Sequence, residues 1–259
     1  MSSSALARHW PEYLMEAGEL GGLMFAVCCF STLYEHPASP LRQALPDPLA
    51  RRALMGFTVA MLLILIIYSP WGARSGAHFN PSVTLTFLRL GKIAGQDAFW
   101  YVVAQCLGGL AGVLAAWALL GPALADPAVG FVVTAPGAAG PAVAFAAELL
   151  ISFIFMSMVL SVTNTPRLAP YTGFFVAALV ATYITVESPF SGTSLNPARS
   201  LATALPAMRL EELWIYLVAP PLGMLLAAEA YLRWAGAHRV LCAKLNHSPR
   251  VGCIFRCEY

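Results

Sequence analysis

Six apolar segments, each close to the length that crosses a membrane, most strongly limit how this chain can fold. A membrane-spanning helix needs about 20 mostly apolar residues to cross about 30 Å of hydrocarbon. We therefore predict six transmembrane helices at residues 13–33, 53–68, 98–120, 145–163, 170–186 and 213–232.

The composition supports lipid as the main solvent of the protein surface. Of the 259 residues, 59% are hydrophobic and 11% are charged, whereas a soluble domain carries about 25% charged residues. The net charge of +2 is too small for a nucleic-acid footprint. These values argue against a soluble enzyme, a disordered chain or a nucleic-acid binder, and they make the lipid bilayer the expected partner. The first apolar segment is too long for a cleavable signal peptide and is expected to be a retained span.

Lysine and arginine positions predict the orientation in the membrane. Placing both termini in the cytoplasm puts ten of the fifteen basic residues on that side, as the positive-inside rule favours. Arg51 and Arg52 lie on the other side and oppose the rule. We predict cytoplasmic termini.

A motif of the form Ser-Gly-x-x-x-Asn-Pro begins at Ser75 and again at Ser191. Each copy follows the second span of a three-span half and precedes an apolar run too short to cross a membrane. Because three spans per half is an odd number, the two halves must insert with opposite topology. The sequence therefore predicts an all-α membrane protein with six transmembrane helices and two re-entrant half-helices in an inverted three-span repeat.

The Asn-Pro pairs explain how the short segments can form half-helices. Proline is favoured at the first helical position and asparagine is a good N-cap, so Asn80-Pro81 and Asn196-Pro197 should each open a helix. Half-helices that enter from opposite faces bring their N–H groups and positive dipole ends together at mid-membrane. Irregular backbone at that depth requires surrounding protein or a wet cavity, so a pore is expected. The alternative, an ordinary turn at each pair, is disfavoured by the two matching copies.

The sequence resembles the aquaporin family, the major intrinsic proteins, over about residues 10–236. Two motifs carry the resemblance: Ser-Gly-Ala-His-Phe-Asn-Pro-Ser-Val-Thr at 75–84 and Ser-Gly-Thr-Ser-Leu-Asn-Pro-Ala-Arg-Ser at 191–200. The resemblance implies six tilted helices, two half-helices and a homotetramer with one pore per subunit. Ser82 stands where the first family signature usually has alanine, while Ala198 keeps the second signature intact.

The same resemblance implies a selectivity filter at the outer constriction. Arg199 matches the family arginine and Thr193 a second position. Counting back places a third position near Ile184 and a fourth at Val59 or Ala60. These residues lack the phenylalanine and histidine common in water-selective members, which implies a wider opening, whereas other positions resemble the water channels.

Four further polar residues fall within the apolar sequence or its re-entrant loops. In the family, glutamates of the first and fourth spans hold the re-entrant loops by hydrogen bonds. Glu148 fits this role clearly, and we prefer Glu16 to Glu19 in the first span. Proton coupling through Glu16 or Glu148 is the alternative. His78 is expected either to line the cytoplasmic pore mouth or to pack within its loop.

We expect a cytoplasmic N-terminal segment at 1–12, a channel domain at 13–236 with halves at 13–120 and 143–236, and a cytoplasmic tail at 237–259. The tail contains a possible tetrahedral metal site, but its spacing matches no close metal motif, and we favour a loose tail with scattered cysteines. The candidate ligands are Cys242, His247, Cys253 and Cys257.

Together these features predict a passive channel for water, with no enzyme activity, cofactor or nucleic-acid partner. Other small uncharged solutes, such as glycerol or ammonia, stay open as permeants. A proton-coupled inverted-repeat transporter is the alternative from another class.

Overall fold

The computed structural model describes residues 5–248 and 250–258, and in these ranges it contains six long helices and two half-helices. Parts of the predicted N-terminal segment (residues 1–4) and tail (residues 249 and 259) lie outside the described residues. The helices are α1 (Ala5–Glu35), α2 (Pro48–Tyr68), α3 (Pro81–Arg89), α4 (Gly95–Leu120), α5 (Pro141–Thr163), α6 (Thr172–Val186), α7 (Pro197–Ala207) and α8 (Leu213–Ala235).

The six long helices confirm the predicted spans and the all-α class, with shifts at their ends. The largest shift is in α1, which begins at Ala5 rather than at residue 13. Its first turn is separated from the rest by a kink at His9, and Pro11 follows within the next turn. His9 and Tyr13 both hydrogen-bond Asp97 at the start of α4, at 2.7 and 2.6 Å. These bonds hold α1 against α4 at the kink and one turn beyond it.

Helix packing follows the inverted repeat. Helix α1 packs mainly on α4 in the first half, α5 packs mainly on α8 in the second, and α2 and α6 pack on each other across the halves. A Cβ added at Gly108 would stand 2.1 Å from the carbonyl oxygen of Ala17, and one at Gly112 would stand 2.1 Å from that of Gly21. Only glycine allows this close approach of α1 and α4.

The outer surface of the helices is apolar, as a lipid environment requires. Large side chains such as Leu65, Leu107 and Leu150 are each more than half exposed on α2, α4 and α5. We call the face that carries residues 237–258 the tail face, and the face that carries the connection 121–140 the loop face.

The half-helices α3 and α7 begin where the Asn-Pro pairs predict. The side-chain oxygen of Asn80 accepts from the backbone N–H of Ser82, and that of Asn196 accepts from Ala198 and Arg199. Both asparagines have extended backbone, and proline occupies the first helical position after each. The two half-helices contact each other inside the bundle, so both N-termini lie in the interior.

Candidate functional site

The two re-entrant loops that lead into the half-helices have the same backbone conformation. In each loop, the second, third and fifth positions of the motif have positive φ, a region that non-glycine residues rarely adopt. Such a conformation persists only when surrounding contacts enforce it. The matching pairs are Gly76 (φ 99) and Gly192 (84), Ala77 (57) and Thr193 (52), and Phe79 (30) and Leu195 (58).

Two buried glutamates provide those contacts. The carboxylate of Glu16 accepts from the backbone N–H groups of His78 and Phe79, at 2.9 and 2.6 Å. The carboxylate of Glu148 accepts from those of Ser194 and Leu195, at 2.6 and 2.9 Å. Both side chains are fully buried. The geometry of each is that of a support for its loop.

The loop supports include residues that sequence reasoning missed. The Tyr101 hydroxyl donates to the Ser75 carbonyl at 2.6 Å, and the Tyr216 hydroxyl donates to the Ser191 carbonyl at 2.7 Å. The signal was available, because the two tyrosines stand at nearly equal distances after the two motif serines. Aligning the halves beyond the motif would have paired them.

In the first half, further side chains that the sequence did not predict as loop supports bind Glu16 and the motif serine. Gln105 donates to Glu16 at 2.6 Å. Glu19, considered only as a competitor of Glu16, is also buried and accepts from the Ser75 hydroxyl at 2.8 Å. In the second half, Glu148 itself accepts from the Ser191 hydroxyl. Two carboxylates in one half thus make the contacts that one makes in the other.

The amides of Asn80 and Asn196 join the two loops. The Nδ2 atom of Asn80 donates to the Leu195 carbonyl at 2.9 Å, and that of Asn196 donates to the Phe79 carbonyl at 2.8 Å. Each amide therefore caps its own half-helix through oxygen and binds the opposite loop through nitrogen. An amide nitrogen carries two hydrogens, so each asparagine keeps a second donor beside the cavity that both residues line.

A cavity of about 250 Å³ lies at this junction. Its lining extends from Glu35 and Arg52 at the loop face, past Asn80 and Asn196, to Leu245 at the tail face. Most other lining side chains are aliphatic or aromatic, which leaves few polar groups to bind a solute. The arrangement is a conduit with its polar groups concentrated at the half-helix junction and at the loop-face end.

The residues predicted for the filter meet in the loop-face part of this cavity. Arg199, Thr193, Ile184 and Val59 all line it. Of the two residues predicted for the α2 position, Val59 lines the cavity, whereas Ala60 is buried at 6% exposure in helix packing. Successive helical residues point about 100° apart, so only one of the two can face the conduit.

Two features around the filter escaped the sequence reasoning. The Arg199 guanidinium donates to the carbonyl oxygen of Val132 at 2.9 Å, so the connection 121–140 reaches inward to position it. Glu187 is half-buried and accepts from the Thr193 hydroxyl at 2.5 Å. Neither contact has a local sequence signal, because each depends on how distant or irregular segments fold.

The tail face of the conduit is covered by residues 237–258. His78 lines the cavity and is buried, and its Nε2 atom lies 2.8 Å from the Ala243 carbonyl oxygen. Its ring stacks between those of Phe87 and Phe255. Both sequence alternatives for His78 therefore describe its position, since it is at the mouth and packed at the same time.

The expectation of a loose tail with scattered cysteines was wrong. The side chains of Cys242, His247, Cys253 and Cys257, hereafter the tail cluster, converge until their ligand atoms all lie within 4.8 Å of one another. The sequence spacing concealed this arrangement because the chain between the members is irregular. A hydrogen bond from Cys242 lowers the pKa of Cys253 to about 6, and the charge of Lys244 acts in the same direction.

Six spans and two opposed half-helices around a conduit define a polytopic membrane protein built as an inverted repeat. A sequence model of the family described as "Major intrinsic protein" matches residues 17–231. The chain therefore belongs to the major intrinsic protein family.

Sequence relatives come from plants and bacteria. Aquaporin NIP3-1 of Zea mays is 38% identical over 187 residues, which cover 71% of this chain and 59% of the maize protein. Glycerol uptake facilitator protein-like 6 of Lactiplantibacillus plantarum is 33% identical over 182 residues, covering 67% of this chain and 81% of that protein. The chain thus spans less than two thirds of the length of the maize relative.

The fold is also that of a solved structure. The X-ray structure of the aquaglyceroporin from Plasmodium falciparum superposes with a TM-score of 0.72 at 19% identity, covering 89% of this chain and 98% of that one. This likeness supports the fold assignment.

Proposed function

We propose that this chain is a passive channel that conducts water down its gradient. The observation that carries the proposal is the pair of Asn80 and Asn196 amides, which face one conduit at the N-termini of two opposed half-helices. A water oxygen that reaches this point accepts hydrogen bonds from the free amide hydrogens. Those bonds compensate for hydration lost along the apolar walls.

The same geometry supports exclusion of cations and protons. The N-terminus of a helix carries a partial positive charge of roughly half an elementary charge, and α3 and α7 both direct that end into the interior. Arg199 adds a full positive charge to the loop-face part of the conduit. A neutral hydrogen-bonding molecule meets no such electrostatic barrier.

A second candidate function is conduction of larger neutral solutes such as glycerol. Val59 and Ile184 give the filter two aliphatic walls, where a phenylalanine and a histidine would make it narrower. The bacterial relative named as a glycerol uptake facilitator-like protein agrees with this reading. Proton-coupled transport has less support, because the carboxylates of Glu16 and Glu148 are engaged by loop N–H groups.

We further propose that the tail face is cytoplasmic and that the protein forms homotetramers. The excess of basic residues on that side supports the orientation. The exposed apolar helix faces are compatible with lipid and with neighbouring subunits alike. Cross-linking of the purified protein in lipid, with tetramers expected and a purely monomeric ladder as the contrary result, tests the assembly.

Light scattering of reconstituted vesicles tests the permeant. Vesicles are shrunk by an impermeant osmolyte and then by glycerol, using the wild type and Leu245→Ala, which removes a side chain that enters the cavity. Water permeation above that of protein-free vesicles, unaffected by a pH gradient, supports the channel. Background permeation in both proteins refutes it, and flux that saturates and follows a pH gradient favours the transporter.

The variant Val59→Phe tests the filter in the same vesicles. A phenyl ring at this position narrows the filter, so glycerol entry should fall by a larger factor than water movement does. The matched control is Ala60→Val, at the neighbouring position that faces helix packing. Equal effects of the two variants on glycerol selectivity would contradict the assignment of Val59.

A further inference from the structure

The tail cluster has the dimensions of a tetrahedral metal site. The Sγ atoms of Cys242 and Cys253 are 3.6 Å apart, and the Sγ atom of Cys257 is 3.1 Å from Nε2 of His247. Zinc binds sulfur at about 2.3 Å and nitrogen at about 2.0–2.1 Å, so the ligand atoms of a tetrahedral site stand about 3.5–3.8 Å apart. The cluster needs only small side-chain movements to reach that geometry.

The tail is irregular and yet buried, which is the setting in which a bound metal stabilises a segment. Residues 240–258 contain no helix or strand among those described, yet Val240, Ala243 and Leu245 are almost completely buried. Ordering an irregular backbone carries an entropic cost at every residue. Small segments without a core of their own are commonly held by metals or disulfides.

The surroundings of the cluster suit a metal with thiolate ligands. One Zn²⁺ with three thiolates and a neutral imidazole carries a net charge of −1. Lys244 is buried at 2% exposure and binds the carbonyl of Gly252, the residue before Cys253, so its ammonium lies where it can balance that charge. Its Nζ atom is fixed by the carbonyls of Ala73 and Gly252, at 2.7 and 2.9 Å. A cavity lined by His247 and Cys253 provides an entry path for the ion.

The tail also contacts the conduit through Leu245. The backbone N–H of Leu245 donates to the Gly76 carbonyl of the first re-entrant loop at 3.0 Å, and the Leu245 residue lines the end of the cavity. Leu245 lies between Cys242 and His247 in the chain. A metal bound by those two residues would fix the segment that carries Leu245.

We propose that the tail cluster binds one Zn²⁺ and that the zinc-bound tail closes the tail-face end of the conduit. The second half of this proposal rests on the proposed channel function. Sulfur and imidazole ligands select zinc over magnesium or calcium, which prefer oxygen. Loss of the ion releases the segment around Leu245 and opens the mouth.

Metal analysis tests the site without reference to permeation. The full-length protein, purified under reducing conditions and incubated with Zn²⁺, is expected to retain about one zinc per chain after gel filtration. Co²⁺ in its place should give the intense d–d absorption of tetrahedral thiolate coordination. Cys253→Ser and His247→Asn should each weaken retention, whereas Cys106→Ser, in a membrane span, should not.

Three results would overturn the zinc site. They are failure of the wild type to retain zinc, equal retention by the Cys253→Ser and wild-type proteins, and a Cys242–Cys253 disulfide in the reduced preparation by mass spectrometry. Stoichiometric copper instead of zinc would refute the choice of metal. Because the wild type alone answers the first question, a variant that folds poorly does not decide the outcome.

Permeation then tests the closure. Water permeability of wild-type vesicles should rise severalfold when a chelator strips the zinc and return when zinc is restored, while Leu245→Ala should be permeable in both states. Zinc binding without any effect on wild-type permeability overturns the closure but leaves the channel. Background permeability of every protein in every state overturns the channel function and the closure with it, and the metal readout still stands on its own.

Discussion

Replacing Glu148 tests the claim that one carboxylate holds the second re-entrant loop. Its Oε1 atom accepts from the Ser191 hydroxyl and the Ser194 N–H, and its Oε2 atom accepts from the Leu195 N–H. Glu148→Ala leaves both backbone N–H groups without their partner, at about 1–3 kcal/mol for each buried donor. The loop should therefore lose about 2–6 kcal/mol of local stability.

Glu148→Gln makes the prediction more specific. The amide oxygen can take the place of Oε1 and keep two of the three hydrogen bonds, while the amide nitrogen, a donor, faces the Leu195 N–H. The expected loss is then about 1–3 kcal/mol and is confined to Leu195. Since 1.4 kcal/mol is a factor of ten, amide exchange at an affected position should accelerate about 5- to 150-fold.

Hydrogen exchange with site-resolved mass spectrometry is the appropriate assay. The Ser194 and Leu195 amides should both exchange faster in Glu148→Ala, and chiefly Leu195 in Glu148→Gln. Glu229→Ala is the control, because Glu229 makes an exposed ion pair with Arg89 and such pairs contribute about 0–1 kcal/mol. Unchanged loop exchange in Glu148→Ala, or identical patterns in the two variants, would refute the reasoning.

Further predictions concern packing, capping and the filter. Gly112→Ala places a methyl group against the Gly21 carbonyl and should cost about 1–3 kcal/mol of stability against unfolding in mixed micelles, whereas Gly22→Ala, with open space around it, should cost nothing; equal stabilities would contradict the close contact. Asn196→Ala removes an N-cap, which contributes about 0.5–2 kcal/mol of stability. The variant should also lower water permeability in vesicles. Unchanged stability and permeability would refute the role of Asn196 as a cap and pore-lining donor. Arg199→Ala removes a positive charge from the conduit and should increase proton leak, measured with an entrapped pH dye; an unchanged leak would show that the charge is not the barrier.

The fold was predictable because its main signals are local. An apolar run of membrane length identifies a span from its own residues, and Asn-Pro combines an N-cap with a first-turn proline in two adjacent positions. Opposed insertion followed from the number of spans in each half. Helix ends were less predictable: α1 begins before the predicted residue 13, and its His9 side chain contacts Asp97 at the start of a distant helix.

The site was predictable in part. The motif located Asn80, Asn196 and Arg199 directly. Counting residues across an irregular stretch could not separate Val59 from Ala60, because an error of one residue rotates the assigned helix position by about 100°. The support of Arg199 by Val132 arises from the path of a long connection, and no local pattern encodes it.

The tail was the least predictable region. Cys242 and Cys253 meet across a loop whose described residues form no helix or strand, so neither helical nor strand periodicity relates their positions. The contacts that guide the tail are also distant, such as the donation from its Leu241 N–H to Asn164.

The hydrogen bonds that the Asn80 and Asn196 side chains donate to the opposite loops have a consequence for the ancestry of the chain. Neither half contains the carbonyl that its own asparagine binds, since Asn80 uses Leu195 and Asn196 uses Phe79. A single-copy precursor would have completed its junction only by pairing about a two-fold axis with an upside-down twin. Gene fusion would then have joined two copies that already needed each other to complete the junction. Later substitutions in either loop would have been constrained by the loop of the other half.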